Sequence, residues 1–176
     1  EKMHVMVEEA CKGLAGVSAS QVEIQSGIQF YDGITTEEIQ EILIRSASDL
    51  IDLDHPNYQF VAARLLLFSI RKHLFGRMHE NPSVIDHVQR CVNSGVYDGE
   101  ILQLYSQEEF NKLESFIDHD RDYLFTYAGL RQVADKYLVQ DRSTNEVYET
   151  PQFMYLMIAA TIFSKYPKES RLDYVK

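Results

Sequence analysis

Residues 56–76 read PNYQFVAARLLLFSIRKHLFG. Apolar side chains cover most of the circumference of the helix that this stretch predicts over residues 57–75, a pattern typical of a helix buried on all sides. Pro56 is compatible with a helix start because the amide hydrogen that it lacks would be unpaired there, and Gly76 suits the residue after a helix end. We therefore expect this stretch to form the central helix of the first of two domains.

Three shorter helices are predicted before the central one. In the first, Val5, Met6, Ala10 and Leu14 recur at helical spacing, and the segment from Gly13 to Gly16 would end it. The second follows Ser18 or Ser20, since either hydroxyl can accept a hydrogen bond from a free amide at a helix start. The third begins with a capping box, because Glu38 follows Thr35 by three residues and its carboxylate can accept a bond from the Thr35 amide.

Further helix starts are predicted after the central helix. Residues 77–83 are expected to form a linker, because Pro82 lies within them and a glycine precedes them. Ser83 is suited to cap the next helix. Ser106 and Glu109 then repeat the capping-box pattern ahead of another apolar face.

The last third of the chain predicts one β-hairpin between two helices. A short helix is expected over residues 122–135. Segments 137–140 and 146–149 have strand character and flank a five-residue polar loop. Thr150 and Pro151 suit a helix cap and first turn, ahead of an apolar helix that extends to about residue 165. The prediction for the whole chain is a mostly α-helical protein in two parts that meet near residue 80.

Composition excludes several kinds of partner and setting. The formal net charge is −10 and no block of lysines and arginines is present, so we expect no nucleic-acid-binding surface. No run of about 18 apolar residues occurs, which argues against a membrane span. Cys11 and Cys91 are far apart and form no CxxC pair, which is typical of a reducing, cytoplasmic setting.

Residues 118–122, Asp-His-Asp-Arg-Asp, allow two interpretations. Carboxylates around a histidine could hold a divalent metal ion. The same residues suit a helix start, where acidic groups are favoured by the helix dipole and one of them can act as the cap. We favour the helix start and predict no metal site, because no further ligands stand at a matching spacing. We also expect neither cysteine to be catalytic, because the sequence shows no nearby cations that would lower a thiol pKa.

Several stretches resemble the large subunit of class I ribonucleotide reductases of the bacterial type. They occur in the order and spacing of that family and extend over essentially the whole chain. The stretches are SASQVEI (18–24) with IQFYDGITTEEI (28–39), YQFVAARL (58–65), FIDHDRD (116–122), KYLVQ (136–140) and FSKYPKESRL (163–172).

The resemblance implies an amino-terminal fragment with a divided, mostly α fold. Residues 1–76 would form an ATP-cone, a small helical regulatory domain, without the β-hairpin that begins the cone in the family. Residues 77–83 would be the linker, and residues 84–176 would start the helical domain of the reductase, with one small β-hairpin. The catalytic cysteines of the family would lie beyond residue 176, so no catalytic residue is expected here.

The resemblance also implies an allosteric function. In this family the cone distinguishes ATP, an activator, from dATP, an inhibitor, of an enzyme that reduces ribonucleoside diphosphates to deoxyribonucleotides for DNA synthesis. Lys2, Thr36 and Lys72 match family residues that contact the nucleotide. Two ammonium groups and a hydroxyl from different helices can hold a triphosphate. Gln40 and Ser69 stand where well-known members have histidines, and they can form hydrogen bonds but cannot become cationic.

Other interpretations of the same residues stay open. Lys2 and Lys72 are also explained as solvated charges at helix ends. The alternative function is a degenerate cone that makes only structural or subunit contacts and binds no nucleotide, whereas a free-standing regulator is disfavoured because residues 85–176 resemble the reductase. The resemblance implies the small radical-generating (beta) subunit and further alpha subunits as partners. No cofactor is expected apart from ATP or dATP as the allosteric effector.

Overall fold

The computed structural model describes the backbone of residues 2–176 and the side chains of residues 3–176. This part of the chain forms ten α-helices, one 3₁₀ helix and one two-stranded antiparallel hairpin, which confirms the predicted mostly α fold. None of the described helices is long and apolar enough to cross a membrane. The α-helices are α1 (Lys2–Cys11), α2 (Ala19–Gly27), α3 (Thr36–Asp49), α4 (Tyr58–Phe75), α5 (Val84–Asn93), α6 (Ile101–Leu104), α7 (Gln107–Glu114), α8 (Tyr127–Lys136), α9 (Pro151–Phe163) and α10 (Arg171–Val175), with the 3₁₀ helix at His119–Leu124 and strands β1 (Gln140–Asp141) and β2 (Glu146–Val147).

The helix ends follow the local signals of the sequence. The Thr35 hydroxyl accepts a hydrogen bond from the Glu38 amide at 3.2 Å, and the Glu38 carboxylate accepts one from the Thr35 amide at 2.9 Å. Ser106 and Glu109 form the second predicted capping box. Gly76 ends α4 with a φ of +75°, in the left-handed region that favours glycine.

The start of α8 differs from its prediction. The helix predicted over residues 122–135 begins at Tyr127, because the Thr126 hydroxyl caps it by accepting a hydrogen bond from the Gly129 amide at 3.2 Å. Residues 119–124 form the separate 3₁₀ helix instead. The sequence did not distinguish the two because both segments carry polar residues suited to helix starts.

The hairpin and the helix after it also differ in detail. Each strand has two paired residues, fewer than predicted, with Gln140 opposite Val147. Pro151 occupies the first turn of α9 as predicted, and Thr150 is the preceding cap residue. The Thr150 hydroxyl is buried and makes no capping hydrogen bond, so the helix start depends on the proline and not on a side-chain cap.

The central helix α4 packs against elements from both parts of the chain. Helices α1 and α3 contact it from the amino-terminal side, and α8 and the 3₁₀ helix contact it from the later part. Leu130 of α8 lies in the same apolar cluster as Val61 and Leu67 of α4, and all three are completely buried. The boundary at residues 77–83 stays a prediction. Those residues are irregular, but the segments on either side share one core.

A second apolar cluster surrounds α9. Phe153 is completely buried there among residues of α5, α7 and α10. A buried ion pair beside this cluster joins α10 to α7. Arg171 donates one hydrogen bond to each carboxylate oxygen of Glu109, both at 2.7 Å. The same guanidinium donates to the backbone carbonyls of Leu104 at 2.6 Å and Ser164 at 2.8 Å. These bonds attach the last helix to the rest of the later part.

Because the two parts share one core, a cavity created in α8 should destabilise the amino-terminal helices as well. Leu130→Ala should lower the free energy of unfolding by about 2–5 kcal/mol, because the deleted side chain leaves a cavity against α4. Urea unfolding followed by circular dichroism measures the loss. Hydrogen–deuterium exchange should show faster exchange in α1 and α4 as well as in α8.

Leu124→Ala is the matched control, because Leu124 is 76% exposed and the same atoms are deleted. It should change the free energy of unfolding by less than about 0.5 kcal/mol. Faster exchange confined to residues after 118 in Leu130→Ala would contradict the shared core.

Candidate functional site

An open cleft of about 980 Å³ lies beside the carboxyl-terminal half of α4. One wall is the start of α3, which contributes Gln40, and another is α4, which contributes Ser69 and Lys72. The remaining walls come from the later part of the chain, with Arg131 on α8 and Glu146 on β2. We call this space the α4 cleft. Its lining is rich in charged and amide side chains, so its chemistry suits a polar, charged ligand.

The structure brings together some of the residues that the resemblance singled out. Lys72 lines the α4 cleft with Gln40 and Ser69, and the Ser69 hydroxyl lies 3.4 Å from the Gln40 side-chain oxygen. Thr36 is exposed at the first position of α3 and is not part of the lining. The side chain of Lys2 lies outside the described residues. The nucleotide contacts assigned to Lys2, Thr36 and Lys72 therefore stay predictions.

The charges in the lining are distributed unevenly. The carboxylates are Glu37, Glu41, Asp135 and Glu146, and the cations are Lys72 and Arg131. Two of the carboxylates have a basic neighbour, since His73 lies 3.5 Å from Glu146 and Arg131 lies 3.4 Å from Asp135. Glu37 and Glu41 both stand on α3. The α3 wall is therefore acidic, and the cations stand on α4 and α8.

The walls from the later part carry no signal in the local sequence that marks them as part of a site. Arg131 lies almost sixty positions after Lys72 in the chain, and only the packing of α8 on α4 brings both residues to one cleft. The hairpin was predicted as an element, but its contact with the end of α4 has no local signal. The polar loop between the strands was the one hint, because loops that carry functional residues are often polar and exposed.

The basic triplet at residues 71–73 divides among three environments. Arg71 is buried and donates hydrogen bonds to the Tyr123 hydroxyl at 3.1 Å and the His119 carbonyl at 3.0 Å, and it lies 3.5 Å from Asp122. Lys72 faces the α4 cleft, and His73 approaches β2. The three basic side chains therefore do not act as one group of helix-end charges, because Arg71 anchors the 3₁₀ helix to α4.

The acidic cluster at residues 118–122 behaves as a helix start. The Asp118 carboxylate caps the 3₁₀ helix by accepting a hydrogen bond from the Asp120 amide at 3.1 Å, which confirms that interpretation. Asp122 is buried beside Arg71, and burial raises its pKa to about 6 although the guanidinium opposes that rise. Among the described residues, no group of three or more histidine, cysteine, aspartate or glutamate side chains is arranged to hold a metal ion.

A buried contact between Cys91 and His87 lacks the features of a nucleophilic site. Cys91 Sγ lies 3.7 Å from His87 Nε2, and the His87 ring stacks on Phe153 at 3.9 Å. Burial raises the pKa of Cys91 to about 11 and lowers the pKa of His87 to about 3. Burial likewise raises the pKa of Cys11 to about 11. At neutral pH both thiols are protonated, and thiols are poor nucleophiles in that form.

Comparison with known proteins places both parts of the chain in one family. Residues 1–73 match the ATP cone domain, and residues 123–176 match the ribonucleotide reductase all-alpha domain. Ribonucleoside-diphosphate reductase 1 subunit alpha of Escherichia coli (strain K12) is 51% identical over all 176 residues. The chain belongs to the ribonucleoside-diphosphate reductase alpha-subunit family. This is an oxidoreductase family, and the resemblance found in the sequence is confirmed.

Two other alpha subunits of the family are also similar over most or all of this chain. The alpha subunit of Haemophilus influenzae is 49% identical over 176 residues, and that of Enterobacteria phage T4 is 46% identical over 162 residues, or 91% of this chain. The chain spans about 23% of the length of the Escherichia coli and Haemophilus alpha subunits and 21% of the phage protein. Walls of the α4 cleft come from both matched regions, since Lys72 lies in the cone match and Arg131 in the all-alpha match.

Because His87 is buried, we expect the protein to lose stability at acid pH. The pKa of His87 is lowered from 6.5 to about 3 in the folded protein, so between these values the unfolded chain binds a proton that the folded chain does not. Stability is therefore retained above pH 6.5 and is lost as the pH falls toward 3. Lowering the pH from 7.5 to 5 should therefore reduce the free energy of unfolding by about 2 kcal/mol through His87 alone.

Urea unfolding at the two pH values tests this cost. His87→Gln should show a fall in unfolding free energy that is smaller than the wild-type fall by about 2 kcal/mol, whatever its stability at pH 7.5. His55→Gln, which removes an exposed histidine, is the control for the loss of an imidazole. Equal acid sensitivity in wild type and His87→Gln would show that His87 is not the group responsible.

Proposed function

We propose that this chain is the regulatory amino-terminal region of a ribonucleoside-diphosphate reductase, and that its ATP-cone binds ATP or dATP in the α4 cleft. ATP would activate the enzyme and dATP would inhibit it. The complete protein would reduce ribonucleoside diphosphates to deoxyribonucleotides for DNA synthesis in the cytoplasm. It would act with the small radical-generating (beta) subunit and associate with further alpha subunits.

One observation carries the proposal. Lys72, Gln40 and Ser69 were linked to the nucleotide site by resemblance alone, and they line a single cleft large enough for a small polar ligand. The match of residues 1–73 to the ATP cone domain supports the same ligand class.

The distribution of charge suggests how a nucleotide would lie in the cleft. Its phosphates would lie toward Lys72 on α4, because an ammonium group binds phosphate oxygens through charge-assisted hydrogen bonds. Its ribose and base would lie toward α3, where Glu37 and Glu41 can accept hydrogen bonds from hydroxyl and amino groups and Gln40 can both donate and accept them. The opposite orientation would place phosphates against carboxylates.

A second candidate function is favoured by two features of the same cleft. Carboxylates outnumber the lysine and arginine side chains in the lining, and Gln40 and Ser69 cannot supply positive charge. A cone with this lining could have lost its ligand and could serve only as a structural or subunit-contact module. The two functions differ in one measurable property, which is the binding of nucleotide at Lys72.

Isothermal titration calorimetry of dATP and ATP into the complete alpha subunit distinguishes the two functions. Lys72→Ala should weaken dATP binding by about 1.5–3 kcal/mol, the effect of losing a hydrogen bond to a charged group, which corresponds to about 10- to 150-fold in affinity. Lys112→Ala removes an exposed ammonium group at the end of α7, outside the cleft, and should leave the affinity unchanged.

The result also decides between the candidates. Weaker binding in Lys72→Ala alone supports an effector site in the cleft. If the affinity of every dATP-binding event is the same in wild type and Lys72→Ala, Lys72 does not contact the nucleotide. The structural or subunit-contact module is then the better account.

A further inference from the structure

The α4 cleft is formed jointly by the cone and by the part that follows it. Helices α3 and α4 supply two walls, and α8 and the hairpin supply the others. His73 at the end of α4 lies 3.5 Å from Glu146 on β2, so the two parts also meet at the edge of the cleft. A ligand that fills this space touches residues on both sides of the predicted linker.

Arg131 is the cation that the later part contributes to this cleft. It lies on α8, half buried, and α8 packs directly on α4. Its Nε lies 3.4 Å from the carboxylate of Asp135, one helical turn further along. Within the described part of the chain this is the only ion pair of Arg131, and both partners remain substantially exposed.

We propose that Arg131 is a phosphate contact of the nucleotide in the α4 cleft, so that the bound nucleotide bridges the cone and the helices that follow it. This inference rests on the proposed function. A guanidinium presents parallel N–H groups that suit two phosphate oxygens, and it remains charged at any physiological pH. Lys72 and Arg131 then hold the phosphates from two different helices.

The existing ion pair of Arg131 does not oppose this role strongly. Exposed pairs between arginine and carboxylate within one helix contribute little to stability, because water and salt screen them. The guanidinium can therefore turn from Asp135 toward a phosphate at small cost. Asp135 competes with the ligand for Arg131, which gives the proposal a second prediction of opposite sign.

The bridging contact explains how a small ligand can affect more than the cone. A ligand shifts a conformational equilibrium only by the difference between its affinities for the two states. A nucleotide held by Lys72 alone is indifferent to the position of α8, whereas one held by Lys72 and Arg131 favours the arrangement in which both walls are close. Arg131 would thus link effector binding to the reductase part.

The test measures dATP affinity in the complete alpha subunit by isothermal titration calorimetry. Arg131→Gln should weaken binding by about 10-fold or more, and Arg131→Lys should recover part of the loss, because lysine keeps the charge without the paired N–H groups. Asp135→Asn should strengthen binding, since it removes both a competing partner and a negative charge. Arg121→Gln is the matched control, because Arg121 is exposed and pairs with Asp118 away from the cleft.

Each outcome separates this inference from the function on which it rests. If Lys72→Ala weakens binding while Arg131→Gln and Asp135→Asn leave it unchanged, the nucleotide site stands and the role of Arg131 is overturned. If Lys72→Ala has no effect on any binding event, the proposed function itself fails. Because Asp135→Asn is expected to gain affinity, misfolding of a variant cannot imitate the full pattern.

Discussion

The apolar surface of α4 is the constraint on which the rest of the structure depends. An eighteen-residue helix with buried side chains around most of its circumference must be covered on every side, because exposed apolar area costs about 25 cal/mol per Å². Helices α1 and α3 cover only part of it, and α8 with the 3₁₀ helix covers another part. The cone and the later helices are joined for this reason, and the cleft is the polar gap that their packing leaves near the end of α4.

The same helix places an anchoring residue next to the residue that we propose as a ligand contact. Arg71 faces inward and holds the 3₁₀ helix through the Tyr123 hydroxyl and the His119 carbonyl, whereas Lys72 is the next residue and lines the cleft. Under the proposed function, a ligand at Lys72 would therefore act on a helix that is already fixed to the later part of the chain. In this account the effector changes the separation of walls that share one core, and no freely swinging cone is needed.

The sequence predicted most of the elements but not how they pack. The caps at Thr35 and Ser106 and the end at Gly76 are local features, determined by side chains within three or four residues, and they are confirmed. The start of α8 was misplaced because two polar segments compete for it. The meeting of Arg131 and Lys72 in the lining of one cleft depends on tertiary packing, which no periodicity records. Resemblance supplied the family and the prediction that Lys72 contacts a nucleotide, since nothing in the local sequence separates a ligand contact from a solvated helix-end lysine.

Hydrogen–deuterium exchange of the complete alpha subunit, with and without dATP, tests the central claim most directly. The claim is that one nucleotide in the α4 cleft contacts both the cone and the helices after it. We expect slower exchange on dATP binding in peptides from the end of α4 and in peptides covering residues 131–147, with both effects lost in Lys72→Ala. Slower exchange confined to α3 and α4, with residues 131–147 unchanged, would contradict a site shared by the two parts.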